Sequence, residues 1–208
     1  MNYMIVAHTD DELLWGWKDL LNGEEWTVIC IFQQYNYNGA NEERMKRLQT
    51  FNKSSMLFGF KYISFDFIDN PYSLEIDFKT QENIKSTINK ITHEYNKIVT
   101  HNPEGEYGHY HHKVISKIVT QIVYDKNKLF YFSFDEQSNT EFTDNYNILI
   151  KEYFPTNVND KTVIGHKKLS NISKTVKYND YKYDQELIEK FYPEAFLKCR
   201  LITCKKYI

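Results

Sequence analysis

Five short apolar runs, at about 3–7, 26–33, 61–68, 97–101 and 128–134, alternate with four segments whose apolar residues recur at intervals of three and four. No other feature of the chain restricts its fold as much. The helical segments are 12–21, 41–58, 80–95 and 111–124. In the last of these, Val114, Ile115, Ile118, Val119, Ile122 and Val123 form one apolar stripe. Strand followed by helix, four times over, predicts a mainly parallel sheet with helices on its faces and right-handed crossovers, an α/β sandwich.

At 208 residues the chain suits one well-buried core, so a single domain over 1–208 is expected, with an α/β core in 1–134. From about Asp135 onward Asn, Thr, Asp and Lys dominate, leaving only Thr162 to Ile164 and the helix-like Gln185 to Leu197 as candidate elements. Residues 135–208 are therefore expected to be an irregular part that packs on the sheet and shapes a substrate cleft, with turns at Pro155 and Pro193. The 26 basic and 28 acidic side chains give a net charge of −2, which excludes an overall positive field and with it a nucleic-acid partner. The first apolar run, Met4 to Ala7, is too short for a signal-peptide core or a membrane span, so no integral membrane association is expected. Cys30, Cys199 and Cys204 are odd in number and lack C-x-x-C spacing, which suits a reducing, cytoplasmic compartment.

Two clusters carry candidate metal chemistry. The first, His8-Thr9-Asp10-Asp11-Glu12, follows strand one and opens helix one. Acidic residues there also have a structural explanation, because carboxylates cap and complement a helix N-terminus. His8 does not fit that explanation. The second runs from His101 to His112 and holds four of the seven histidines. A solvated loop is one reading of it, but Gly105 and Gly108 indicate specific turns, and His109-x-x-His112 at a helix start brings two imidazoles to neighbouring positions. With the strand order 3-2-1-4-5, strands one and four are neighbours where the winding reverses, and ligands bind outside the carboxyl ends of such strands. Both clusters fall in that crevice.

His8, Asp11 and His112 form a two-histidine, one-carboxylate set with positions left for water and substrate, the donor set of a catalytic zinc; Fe2+ shares the ligand count. Zinc lowers the pKa of bound water toward about 7. Asp10 is then the candidate base, His109 the candidate acid or oxyanion partner and Tyr107 a candidate oxyanion donor. Each has a plainer alternative: a cap for Asp10, a brace for His109, one surface tyrosine among 17 for Tyr107.

AHTDDE at 7–12 and THNPEGEYGHYHH at 100–112 resemble the two signature motifs of the PIG-L/LmbE family of zinc-dependent N-acetylglucosaminyl deacetylases, AHPDDE and TH…GEYGHPDH. Arg47 to Gly59 is similar to the family's second helix, and the likeness spans about the first 125 residues. The resemblance implies a Rossmann-like α/β fold without a dinucleotide and the same roles for His8, Asp11, His112, Asp10, His109 and Tyr107. It adds Arg47 as a binder of substrate polar groups, and implies an N-acetylated amino sugar or glycoconjugate as substrate.

Two positions depart from the pattern. Thr9 replaces a proline, which removes no functional atom. His111 replaces the aspartate between the two histidines, so either the pKa of His109 is lowered or Glu104 or Glu106 substitutes; the expectation adopted is that one of these glutamates partners His109. The same change keeps open a non-catalytic sugar- or metal-binding descendant. A receiver-like domain using Asp10, Asp11 and Asp66 with magnesium is disfavoured by the histidines, since magnesium prefers oxygen ligands.

Overall fold

A computed structural model describes residues 1–35, 40–69, 75–92, 94–138, 140–154 and 161–192. Five parallel strands build the sheet: β1 (Asn2–Val6), β2 (Trp26–Tyr35), β3 (Lys61–Asp69), β4 (Lys97–Thr100) and β5 (Leu129–Phe134). A sixth, β6 (Ser173–Lys177), pairs antiparallel with β5, giving the order β3-β2-β1-β4-β5-β6. The expected order 3-2-1-4-5 is therefore observed with one strand added.

β1 sits at the centre because it is buried on both faces. Met4 and Val6 point into one apolar layer with Trp15, Trp17, Phe51 and Leu149, while Ile5 and Ala7 point into the other with Ile84, Ile88, Ile115 and Val119. The second layer is closed by α4 (Phe78–Ile91) and α6 (Tyr110–Ile122), and the stripe from Val114 to Val123 is buried as the spacing predicts. The first is covered by α3 (Ala40–Phe58) and by the C-terminal helices α7 (Asp144–Tyr153), α8 (Lys161–Asn171) and α9 (Gln185–Phe191).

Two local expectations need correction. Segment 12–21 is not one helix but two single turns, α1 (Asp11–Leu14) and α2 (Trp17–Leu20), broken at Trp15-Gly16. Gly16 lies against the sheet: a Cβ there would sit 2.4 Å from the Met4 thioether, so the chain has to turn at a residue without a side chain. The region after Asp135 is also more regular than its composition suggests, with three helices and β6; Thr162 to Ile164 falls inside α8. The alternation of β6, Ser-Lys-Thr-Val-Lys, is too polar to register as a strand, as suits an edge. The turns expected at Pro155 and Pro193, helical residues 193–197, and Cys199 and Cys204 lie outside the described residues. Among the described residues, no helix is long and apolar enough to cross a membrane.

Candidate metal centre

β1 and β4 end side by side, and both clusters meet at their carboxyl ends. Asp10 occupies the N-cap position of α1, yet its side chain makes no capping bond; its Oδ2 lies 3.2 Å from Nη1 of Arg47 on α3. Capping therefore does not explain Asp10. Asp11 is buried, and both of its oxygens are engaged: Oδ2 accepts from the His8 backbone N–H at 2.8 Å, Oδ1 from the Trp15 indole N–H at 3.0 Å. Its Oδ1 also faces His112 Nε2 at 3.4 Å, and its Oδ2 faces His8 Nδ1 at 3.6 Å. The three expected ligands are thus brought together.

The tautomer of His112 follows from its other nitrogen. Glu106 Oε2 accepts from His112 Nδ1–H at 2.6 Å, which leaves the Nε2 lone pair aimed toward Asp11. Burial holds the pKa of His112 well below the usual imidazole range, so the ring is neutral, as a metal ligand must be. Glu106 also accepts from His101 Nδ1–H at 2.9 Å. Against the opposing effect of burial, the flanking Glu106 and Asp11 raise the pKa of His101 to about 9; the Ala7 N–H nevertheless donates to His101 Nε2 at 2.9 Å and requires a lone pair there. His101 is a neutral brace between the two motif strands.

This network depends on an unusual backbone. Gly105 and Glu106 have φ of 66° and 56°, in the turn α5 (Gly105–Gly108) that precedes α6. A Cβ on Gly105 would lie 2.9 Å from Lys113 Cγ and 3.3 Å from His112 Cβ, so only glycine fits. Glu106 is held by its own side chain, which accepts from the Asn102 N–H, and by its N–H, which donates to Asn102 Oδ1.

His109 lies beside these groups, its ring 4.3 Å from that of His112 and 5.0 Å from that of His8. Its donor nitrogens come within 4.8 Å of those of both, so geometry alone makes it a third imidazole ligand as readily as an acid. The expected glutamate partner is not there: Glu106 bonds His101 and His112, and Glu104 accepts from the Tyr181 hydroxyl. His109 Nδ1 is buried without a hydrogen-bond partner. Burial and the neighbouring His112, His8 and His111 hold its pKa well below the usual value, the other alternative that the sequence left open. Tyr107 is partly buried against Trp15 and His166, and burial raises its phenol pKa far above the ordinary value, so it keeps its proton and serves as a donor.

The cleft of about 180 Å³ is lined by His8, Asp10, Asp11, Arg47, Tyr107, His109 and His112, and by two residues that sequence reasoning missed, Asp69 and His166. Asp69 ends β3, where only a carboxylate after an apolar run hinted at it. His166 comes from α8, in a region without a motif. Glu12 is buried below the cleft and accepts from the Tyr153 hydroxyl at 2.8 Å; burial pushes its pKa up to about 8. Asp66 pairs with Arg44 away from this cleft, so the third carboxylate of a receiver-like pocket is not supplied.

The sequence model of PIG-L, described as GlcNAc-PI de-N-acetylase, matches residues 3–123. An uncharacterised protein, L374, of Acanthamoeba polyphaga mimivirus is 32% identical over 160 residues, covering 72% of this chain and 67% of that protein. Among solved structures, the A40926 pseudoaglycone deacetylase Dbv21 is similar with a TM-score of 0.60 at 14% identity, over 85% of this chain and 97% of that one. The N,N'-diacetylchitobiose deacetylase of Pyrococcus horikoshii superposes with a TM-score of 0.57 at 13% identity, over 89% of this chain and 88% of that one. At these identities the structural likeness is one of fold.

Proposed function

The chain belongs to the PIG-L (GlcNAc-PI de-N-acetylase) family, and from that premise we propose that it is a metal-dependent hydrolase removing the N-acetyl group from an N-acetylglucosamine-type sugar or conjugate. The observation that carries this reading is the meeting of His8, Asp11 and His112 in one cleft with Asp10, which no capping bond occupies. The donor set suits zinc, with two imidazoles and one carboxylate; Fe2+ shares it. Bound there, the ion supplies a Lewis acid for the amide carbonyl and lowers the pKa of its water toward about 7.

The remaining steps belong to the protein's own side chains. Asp10, oriented by Arg47, takes the proton of the attacking water. Tyr107 donates its hydroxyl to the developing oxyanion. His109, neutral because burial and the neighbouring imidazoles depress its pKa, offers a ring N–H to the oxyanion, and the proton taken up by Asp10 goes to the departing amine. Arg47 and the Asp69 carboxylate, which line the cleft, offer polar contacts to sugar hydroxyls. Residues 1–134 form the catalytic core of a single 1–208 domain on this reading, and 135–208 shape the cleft, in support of which His166 lines it and Tyr153 braces Glu12 below it. A cytoplasmic place of action goes with the same reading.

The bare Nδ1 of His109 favours a second reading, a sugar- or metal-binding relative without turnover. One experiment separates them: metal content of the purified protein, and acetate release from a panel of N-acetylated hexosamines and their glycosides with and without chelator. About one zinc with chelator-sensitive acetate release supports the hydrolase. Zinc without release across the panel supports the binder, and no retained metal overturns the hydrolase.

A further inference from the structure

The outer edge of His8 faces a set of donors that the proposed mechanism does not use as ligands. His8 Nε2 lies 3.2 Å from His111 Nδ1 and 3.5 Å from Asp69 Oδ2, and His111 Nδ1 lies 3.5 Å from Asp69 Oδ1. These atoms come from three places far apart in sequence, the end of β1, the end of β3 and the first turn of α6. We propose that His8 Nε2, Asp69 and His111 Nδ1 form a second site for a divalent transition metal, joined to the first through the His8 ring. It rests on the reading above, because His8 is shared.

The triangle has the size such an ion needs. Donors held 2.0–2.1 Å from a tetrahedral zinc stand roughly 3.3–3.4 Å apart; the two imidazole nitrogens are 3.2 Å apart, and Asp69 stands 3.5 Å from His8 through Oδ2 and 3.5 Å from His111 through Oδ1. One donor atom from each of the three residues lies within 4.8 Å of the other two, so a single ion between them engages all three. Two nitrogens and a carboxylate select zinc, copper, nickel or cobalt over magnesium or calcium. Asp69 and His8 line the cleft, which gives the ion an entry path and a fourth position for water, while His111 is buried and stacked on Phe32 at 4.6 Å, which fixes its ring. His8 Nδ1 stays turned to Asp11, so its two nitrogens serve two centres. With both ions bound, the last ring proton of His8 passes to water, and this makes the second ion the weaker one.

Equilibrium dialysis of the full, chelator-stripped chain against Zn2+, with bound metal measured by atomic emission, tests the site. The expected result is two equivalents, the second at least about tenfold weaker than the first, with His111→Ala and Asp69→Asn each weakening the second by at least about tenfold more while the first is retained. Circular dichroism melts confirm folding, and the isosteric Asp69→Asn carries the test if His111→Ala does not fold. One equivalent in the parent protein overturns this inference and leaves the proposed function standing. Two equivalents that neither variant alters place the second ion elsewhere, and loss of both equivalents together shows a single centre; either result overturns the inference. No zinc uptake at all overturns the proposed function with it.

Discussion

Glu106 Oε2 lies 2.6 Å from His112 Nδ1 and 2.9 Å from His101 Nδ1, so one carboxylate oxygen sets the tautomers of two imidazoles. With His101 Nε2 taken by the Ala7 amide, only His112 is left to ligate. A glutamine at position 106 turns a carboxylate acceptor into an amide and removes the charge that orients His112. Glu106→Gln is expected to weaken zinc binding by about 10–100-fold, measured by competition with a chromophoric chelator. Unchanged affinity would mean that helix geometry alone holds His112.

Asp10 makes no capping bond and lies 3.2 Å from Arg47 Nη1, and the proposed function makes it the base. Asp10→Asn is expected to lower the rate of acetate release by about 10²–10⁴-fold while the protein keeps its zinc. Loss of the metal instead would make Asp10 a ligand.

Arg47 Nη1 is 3.2 Å from Asp10 Oδ2, and Arg47 Nε is 3.7 Å from Glu43. Lysine retains the charge but not the planar fork, so it cannot hold both carboxylates in the same way. Arg47→Lys is expected to lower kcat about tenfold or more, the scale of one charged hydrogen bond lost from the base. A rise in KM with kcat unchanged would confine Arg47 to substrate binding.

Gly105 has a φ of 66° with no room for a Cβ beside His112. Gly105→Ala is expected to cost about 1–2 kcal/mol from the backbone alone, a drop of roughly 2–8 °C in Tm, and to reduce zinc affinity because His112 is the neighbour displaced. Thermal denaturation with and without zinc reads both effects; an unchanged Tm would show that the turn relaxes freely.

Tyr153 on α7 donates to Glu12 at 2.8 Å, tying that helix to the turn that carries Asp10 and Asp11. Tyr153→Phe leaves a buried carboxyl oxygen without that donor and is expected to destabilise the fold by about 1–3 kcal/mol in urea denaturation. A loss below a few tenths would mean that water replaces the hydroxyl.

The residues proposed as ligands were legible because they stand where local pattern changes: His8 and Asp11 follow the first apolar run, and His112 lies in the first turn of α6. Glu106 was named as a candidate partner but assigned to the wrong imidazole. Its side chain reaches His112 and His101 only because residue 106 has a positive φ, which nothing in a run of glutamate, glycine and tyrosine announces. Asp69 carries no motif, and Asp66, three residues earlier on the same strand, entered only the disfavoured receiver-like reading. A register shift in the pairing of β2 with β3 separates their surroundings, and the site shows only in three dimensions.

By itself the chain determined its layers, the order of its five parallel strands and the meeting of two motif segments, because burying apolar residues at fixed periods is a local rule that can be read residue by residue. Only the tertiary structure decided which nitrogens of His101 and His112 turn to Glu106, that His8 faces donors on both sides, and that β6 and His166 complete the sheet and the cleft. Those outcomes depend on a few tenths of an ångström between side chains some forty to a hundred and fifty positions apart, and packing of the whole molecule sets such distances.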